Sequence, residues 1–186
     1  MQEILMSINP IQCFRIFEGR QKAEIRKTRP NKDEEFKVYI YCTNGICLYK
    51  APALADVGFL LSESEPDFEK SLNCKVIGEF MCKEISSFDV LENGNIRDWN
   101  FSGAIDAGMT YDAVEELIGR GRTGYVWHIS DLVTYDEPKK ISEFKTEKGI
   151  SLVRPPMSWR YVKTTKGNVD DNCLQDQERG GQSICL

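Results

Sequence analysis

The sequence predicts a mostly β fold with a few helices (α+β), in which antiparallel strands curl into a barrel beside two main helices. Three observations favour this fold. Most apolar segments alternate with a period of two or are rich in aromatic and β-branched residues, as strands are. Two main segments carry the one-sided apolar stripe of a helix. Strand and helix do not alternate repeatedly, so a doubly wound parallel sheet is not expected.

The first third of the chain predicts a strand, a helix and two further strands. Glu3–Ile8 is a short β run, and Pro10 then opens an apolar stripe that recurs every three residues. Pro10 fits the first turn of a helix, and Gly19 fits the position just after its end. The alternation over Lys22–Thr28 and the aromatic run Phe36–Thr43 predict two strands.

The middle of the chain is less regular. Asn44–Asn73 breaks the strand rhythm with glycine, proline, serine and acidic residues, and we interpret it as a variable surface loop, with boundaries of about 44–73. Apolar residues return over Cys74–Phe88 and predict one long strand, bent at Gly78; they are Val76, Ile77, Phe80, Met81 and Ile85. Asp89–Gly108 is predicted to be a second variable loop, over about 89–108.

The last third predicts one more helix and two strand regions. Thr110 is a good N-cap for a helix over Tyr111–Gly119, whose apolar residues share one face. Tyr125–Tyr135 and Val153–Lys163 follow as strand regions. From residue 164 to 186 the composition is polar and rich in glycine, which predicts a disordered tail.

Composition fits one domain, over residues 1–163, in a protein of 186 residues. The N-terminus does not resemble a signal peptide and no apolar run could span a bilayer, so we expect a cytoplasmic protein without membrane contact. Seven cysteines without a CxxC pair, beside a single histidine, argue against a disulfide framework and a zinc site. We therefore expect no metal and no cofactor. The cysteines expected to be reduced core residues are Cys13, Cys42, Cys74 and Cys82.

The net charge of −5 is concentrated in two stretches, about 44–72 and 164–186. The rest of the chain is close to neutral. Such a body permits a local basic groove but does not support a strong affinity driven by phosphate alone.

The segment from Gly19 to Arg26 carries the most information about function. On a strand, Lys22, Glu24 and Arg26 fall on one face, about 7 Å apart in succession. A row of alternating charges offers both donors and acceptors to a ligand with polar edges, such as a nucleobase. The alternative is an exposed strand face whose charges compensate one another.

This segment resembles the signature of the ASCH domain, a PUA-like β-barrel whose pattern is Gly-x-Lys-x-x-Glu-x-Arg. Gly19, Glu24 and Arg26 match the pattern, whereas Gln21 stands at the lysine position. The resemblance covers roughly residues 3–163, and Arg154–Trp159 is similar to a subgroup found in Gram-positive gut bacteria and their phages or mobile elements. The other similar stretches are Ile4–Pro10, Lys37–Tyr41, Val76–Phe80 and Tyr125–Ser130.

The resemblance implies an RNA- or nucleotide-binding protein with a regulatory role or a role in RNA metabolism. It places Gly19, Glu24 and Arg26 in the cleft. Some ASCH proteins look like amidohydrolases of an acylated cytidine nucleoside and rely on the lysine that this chain lacks. Under that alternative Lys22, Glu24 or His128 would transfer the proton.

Further candidates for the cleft wall lie near the two strand regions of the last third. Strand alternation places Trp127 on one face, and His128 with Ser130 on the other. The tryptophans Trp127 and Trp159 could stack on a base, and His128 could act as an acid or base. Arg154 could contact a phosphate. For each of them the alternative is a structural role, such as a core aromatic or a satisfied histidine.

Several other functions find no support in the sequence. The chain has no Gly-x-Ser-x-Gly elbow, no P-loop and no dinucleotide glycine fingerprint. A third hypothesis is an accessory protein of a phage or mobile element, which would bind a host protein through its acidic loop or tail.

Overall fold

The computed structural model describes residues 1–31, 34–51, 58–63, 67, 69–97 and 105–164. Two helices with fully described residues are α1 (Pro10–Phe17) and α2 (Tyr111–Ile118), and a 3-10 turn spans Ile141–Glu143. The strands are β1 (Gln2–Ile8), β2 (Ala23–Arg26), β3 (Phe36–Cys42), β4 (Cys47–Lys50), β5 (Phe59–Ser62), β6 (Lys75–Cys82), β7 (Ile85–Val90), β8 (Ile96–Arg97), β9 (Arg122–His128), β10 (Ser130–Lys139), β11 (Phe144–Lys145), β12 (Trp159–Tyr161) and β13 (Lys163–Thr164).

The strands pair into two main sheets and two small ones. The larger sheet has the order β10-β6-β3-β1-β12, and the second has the order β2-β9-β7-β8. The pairs β4–β5 and β11–β13 form two-stranded sheets. Strands β1 and β3 run parallel, and the other described pairs are antiparallel. The predicted mostly β fold with two main helices is therefore confirmed.

The predicted closure into a barrel is wrong for the described residues, because the hydrogen bonds define separate sheets. The predicted single strand Cys74–Phe88 is divided in the same way. Its first part is β6, in the larger sheet. The chain then turns at the exposed pair Lys83-Glu84 and continues as β7 in the second sheet. The corner consists of two charged residues between the apolar Cys82 and Ile85, which is too short an interruption to predict a change of sheet.

The main core lies between the inner faces of the two large sheets. Alternate residues of β1 and β3 are fully buried there, and Trp127 of β9 closes the core from the second sheet. Helix α1 packs on the same core through Cys13 and Ile16. Asn9 caps the start of α1 by accepting a hydrogen bond from the backbone N–H of Gln12.

Helix α2 covers the opposite face of the second sheet. Val114 and Ile118 of the helix pack against Ala23, Ile25 and Val126 of the strands. These residues alternate with Glu24, Arg26 and Trp127, which therefore face the main core. The helix thus fixes which face of β2 and β9 is turned inwards.

The predicted variable loop over 44–73 contains the hairpin β4–β5. Leu48 and Phe59 from this hairpin are buried in the main core, so the hairpin belongs to the packed structure. The two short strands were not predicted, because the residues that flank them are acidic or typical of turns. Cys74, predicted to be a core residue, is exposed and has a φ of 59°.

The structure also bears on the predicted C-terminal tail and on the predicted loop 89–108. Thr164 is paired with Phe144 in the sheet β11–β13, and the rest of the predicted disordered tail lies outside the described residues. The middle of the predicted loop 89–108 contains β8, which pairs with β7. Within the described ranges, no helix is both long and apolar enough to cross a membrane.

Candidate functional site

Strand pairing places the signature residues on the inner face of the second sheet. Strands β2 and β9 are antiparallel, with Glu24 opposite Trp127 and Arg26 opposite Tyr125. Side chains of directly opposite residues lie on the same face of a sheet. Glu24 and Arg26 therefore point between the two large sheets, beside the aromatic side chains of β9.

Glu24 and Arg26 form a buried ion pair. Arg26 Nη2 lies 3.1 Å from Glu24 Oε1, and the two side chains are 15% and 3% exposed. Gln21, itself buried, donates from Nε2 to Glu24 Oε2 at 2.8 Å and to the backbone oxygen of Ala23 at 3.0 Å. Each carboxylate oxygen is thus held by a different side chain.

Burial raises the pKa of the Glu24 carboxyl above its ordinary value of 4.5. The guanidinium of Arg26 and the hydrogen bond from Gln21 lower it, but by less than the desolvation raises it. A lysine in place of Gln21 would have added a second positive charge beside the carboxylate. The neutral amide leaves Glu24 with a single charged partner, and its charged form is correspondingly less favoured.

The closing segment of the domain is joined to this ion pair through Ser7. Arg26 Nη2 donates to the backbone oxygen of Ser7 at 2.8 Å. The Ser7 hydroxyl donates to the backbone oxygen of Pro156 at 2.6 Å, and the Ser7 N–H donates to Ser158 O at 2.9 Å. The segment around Pro156 is therefore fixed next to the guanidinium.

Aromatic side chains form the wall beside the ion pair. The rings of Trp127 and Trp159 lie 5.4 Å apart between centroids, and Phe36 meets Trp127 edge-on at 5.3 Å. Trp159 Nε1 donates to Thr28 Oγ1 at 3.0 Å, which links the closing segment to the end of β2. The predicted pair of tryptophans is thus brought together, with Trp127 fully buried and Trp159 half-buried.

Three buried polar atoms around this site lack a hydrogen-bond partner among the described residues. They are Gln21 Oε1, Arg26 Nε and Trp127 Nε1. Buried polar groups are nearly always paired, because each unpaired one costs roughly 1–3 kcal/mol. Within the described part of the chain, one acceptor and two donors are therefore unsatisfied, on two residues bonded to Glu24 and on the tryptophan opposite it in the sheet.

The other predicted site residues lie elsewhere. Gly19 is exposed and follows α1 with a φ of 69°, as its predicted position after the helix requires. Lys22 is exposed and precedes β2. His128 lies on the α2 side of β9, with Nε2 3.0 Å from Ser86 Oγ. Ser130 donates to Met81 O at 2.9 Å in the larger sheet, and Arg154 is exposed.

Sequence reasoning missed the supporting residues of the site. Gln21 entered only as a departure from the signature, yet it is buried and bonded to Glu24. Ser7 and Thr28 carry no signal beyond being polar residues at strand ends. Strand alternation in the sequence predicts that Tyr125 and Trp127 share a face. The structure has Tyr125 on the inner face, directly opposite Arg26. Among the described residues, no group of three or more histidine, cysteine or acidic side chains could hold a metal ion.

The comparisons with known proteins concern the fold. No family model matches the sequence, and no curated protein matches it. Three crystal structures of ASCH protein from Zymomonas mobilis do match the structure. The first has 16% identity and a TM-score of 0.56, with 87% of each chain covered.

Two variants of that Zymomonas mobilis protein, each with one substitution, give similar values. One has 16% identity and a TM-score of 0.57, covering 88% of this chain and 91% of the other. The second has 14% identity and a TM-score of 0.54, covering 87% of this chain and 88% of the other. The chain therefore has the fold of an ASCH domain, as its resemblance to that family implies. The similarity to a subgroup from gut bacteria and phages is not tested by these structures.

Proposed function

We propose that this protein binds RNA or a nucleotide by placing a base against the buried Glu24–Arg26 pair. The observation that carries the proposal is a buried carboxylate–guanidinium pair beside two tryptophans, with three polar atoms that have no hydrogen-bond partner among the described residues. We further propose a role in RNA metabolism or its regulation, as the resemblance to ASCH proteins implies.

The chemistry of the site suits a nucleobase. Base edges carry donors and acceptors side by side, and their faces stack on aromatic rings. Glu24 and Gln21 Oε1 can accept hydrogen bonds, whereas Arg26 Nε and Trp127 Nε1 can donate them. A ligand that satisfies these atoms removes a cost that the unliganded protein carries, and one without matching groups does not.

Binding is favoured over catalysis by the residue at position 21. A glutamine amide neither takes up nor releases a proton near neutral pH, so it cannot replace a lysine in proton transfer. The two substitutes considered from the sequence are badly placed. Lys22 is exposed, and His128 lies on the other face of the sheet from Glu24.

The amidohydrolase alternative has one observation in its favour. A carboxyl whose pKa is raised by burial is typical of a general acid or base, and Glu24 is such a carboxyl. Incubation with N4-acetylcytidine, followed by chromatography, tests this alternative. Release of acetate that Glu24→Gln abolishes would support it, and intact nucleoside would rule it out.

Isothermal titration with the four common nucleosides, N4-acetylcytidine and a mixed pool of short single-stranded RNAs tests the proposed binding. The variant Glu24→Gln keeps the size of the side chain and removes its charge. Loss of a charged hydrogen bond is expected to weaken binding roughly 10- to 100-fold. The matched control is Glu115→Gln, since Glu115 also pairs with an arginine, Arg120, but on the far side of the sheet at the end of α2.

Two results would overturn the proposal. Binding that is unchanged by Glu24→Gln would place the ligand elsewhere. No binding to any of these probes would mean that the fold is used for another purpose, and the host-protein hypothesis would then take precedence.

A further inference from the structure

The inner face of the second sheet extends beyond the buried ion pair. Along β9, Trp127 is fully buried, Tyr125 is half-buried and Thr123 is exposed, although all three point to the same face. Along β7, Ile85 is half-buried and Ser87 is exposed on that face. The larger sheet thus covers one end of this face and leaves the other open.

A cavity of about 240 Å³ lies on the uncovered end. We call this region the open sheet face, and it is lined by Arg29, Ile85, Ser87, Thr123 and Tyr125. A neighbouring cavity of about 260 Å³ shares Arg29 and Ile85 and adds Phe36, whose ring packs against Trp127. The two cavities adjoin at Arg29 and Ile85, and Phe36 in the second belongs to the aromatic wall of the candidate site.

Tyr125 and Arg29 give the open sheet face its chemistry. The Arg29 guanidinium carbon lies 5.9 Å from the centre of the Tyr125 ring, within the range of a cation–π contact. Arginine over an aromatic ring recurs in sites for single-stranded nucleic acid, because a base stacks on the other face of the ring or on the guanidinium plane and the charge attracts the backbone. The hydroxyls of Ser87 and Thr123 flank this pair, which we call the platform.

The platform stands next to the proposed base site. Tyr125 is directly opposite Arg26, and Trp127, two residues further along β9, is directly opposite Glu24. Successive residues on one face of a strand are about 7 Å apart. The two positions can therefore receive consecutive nucleotides of an extended strand.

We infer that the open sheet face binds the nucleotide adjacent to the one at the Glu24–Arg26 pair. The natural ligand is then a single nucleic-acid strand of at least two nucleotides rather than a free nucleoside. Tyr125 stacks on the second base and Arg29 contacts a phosphate. This inference rests on the proposed function, whose base site it extends.

The test compares ligands of different length. Isothermal titration measures the four nucleoside 5′-monophosphates, a mixed-sequence pool of RNA pentanucleotides and the matching DNA pool. The RNA pool, the DNA pool or both are expected to bind at least about tenfold more tightly than the best monophosphate. Preference for RNA would indicate a contact with the 2′-hydroxyl, and equal affinities would indicate recognition of base and phosphate alone.

Substitution of the platform residues locates the extra affinity. Tyr125→Ala is expected to weaken pentanucleotide binding roughly 5- to 100-fold, and by more than it weakens monophosphate binding. Tyr125→Phe keeps the ring and should retain the affinity. Tyr111→Ala is the matched control, because Tyr111 is an exposed tyrosine on α2, on the other side of the sheet.

A second variant leaves Tyr125 in place and removes the charge beside its ring. Arg29 is exposed, and Arg29→Gln should reduce the slope of log K against log salt by roughly one for the pentanucleotides. Equal affinities for monophosphates and pentanucleotides would overturn the inference and leave the proposed function intact. Tight pentanucleotide binding that neither variant affects would also overturn it. No binding to any probe would instead contradict the proposed function itself.

Discussion

Two carboxylate–arginine pairs lie on the same face of the second sheet, at opposite ends. Glu24 and Arg26 are 3.1 Å apart with side chains 3% and 15% exposed, whereas Asp89 and Arg97 are 2.9 Å apart with side chains 33% and 62% exposed. The distances are nearly equal and the surroundings are not. The comparison separates the effect of burial from that of pairing.

The two carboxyls respond in opposite directions. Desolvation raises the pKa of Glu24 in spite of Arg26. The hydrogen bond from Thr123 and the contact with Arg97 lower the pKa of Asp89, where desolvation is a lesser effect. A buried pair with incomplete hydrogen bonding contributes little net stability. Its presence at the covered end of the sheet therefore favours a role in ligand binding over a role in folding.

The largest expected difference between the two pairs is in stability. Arg26→Ala leaves a buried carboxylate without its charged partner and is expected to lower the free energy of unfolding by about 3–5 kcal/mol. Arg97→Ala affects an exposed pair and should cost much less, because water solvates the remaining carboxylate. Urea denaturation of both variants measures the difference. Equal losses would show that the burial of Glu24 has no energetic consequence.

The next expected difference is in the pH dependence of stability. The pKa of Glu24 is higher in the folded protein than in the unfolded chain. Its contribution to the free energy of unfolding is therefore fully present below pH 4.5 and is lost as the pH rises through the folded pKa. Asp89 has a lowered pKa, so its contribution is present above pH 3.8 and is lost as the pH falls. As pH rises, wild type should lose stability relative to Glu24→Gln and gain relative to Asp89→Asn.

Denaturation at several pH values, from about 3.5 to about 8, measures both trends. Each is taken as the difference between wild type and variant, which cancels the titration of the other acidic residues. If the two differences ran in the same direction, the opposite environments inferred for Glu24 and Asp89 would be wrong.

A smaller effect is expected when the signature lysine is restored. Gln21→Lys places an ammonium group where the amide now donates to Glu24 Oε2 at 2.8 Å. A second positive charge lowers the pKa of Glu24 and should weaken or reverse the loss of stability with rising pH. The measurement is the same pH series on Gln21→Lys and on Gln21→Lys, Glu24→Gln. An unchanged trend would mean that position 21 does not control the charge of Glu24.

The smallest expected effect concerns the closing segment near the buried pair. Trp159→Phe keeps a ring beside Trp127 but loses the 3.0 Å hydrogen bond to Thr28. The free energy of unfolding should fall by about 1 kcal/mol. Thr28→Val removes the same bond from the other side, so the double variant should lose little more than either single one. Additive losses would show that the bond itself contributes nothing.

The sequence predicted the elements better than it predicted their assembly. Pro10, Gly19 and Thr110 set helix limits through local chemistry, and the structure agrees with them. The turn from β6 to β7 at Lys83-Glu84 was not predicted, because two charged residues between apolar neighbours also fit the exposed part of one long strand. The hairpin β4–β5 was missed since its two strands are short and lie among acidic and turn-forming residues.

The candidate site was predictable where residues share a strand and unpredictable where they come from distant segments. The spacing of Glu24 and Arg26 implied a common face, and the alternation of Trp127 and His128 implied opposite faces. Contacts such as Arg26 with the backbone of Ser7, or Ser7 with Pro156, depend on how three separate segments meet. No periodicity or motif encodes such contacts.

The most direct test of the account is an NMR titration that follows side-chain N–H groups. Arg26 Nε–H and the Trp127 indole N–H lack a hydrogen-bond partner among the described residues, so they report contact with a ligand. On addition of a mixed pool of short single-stranded RNAs, both resonances should shift strongly, and Glu24→Gln should suppress the change. Shifts confined to other residues, with these two unmoved at saturation, would contradict a binding site at the Glu24–Arg26 pair.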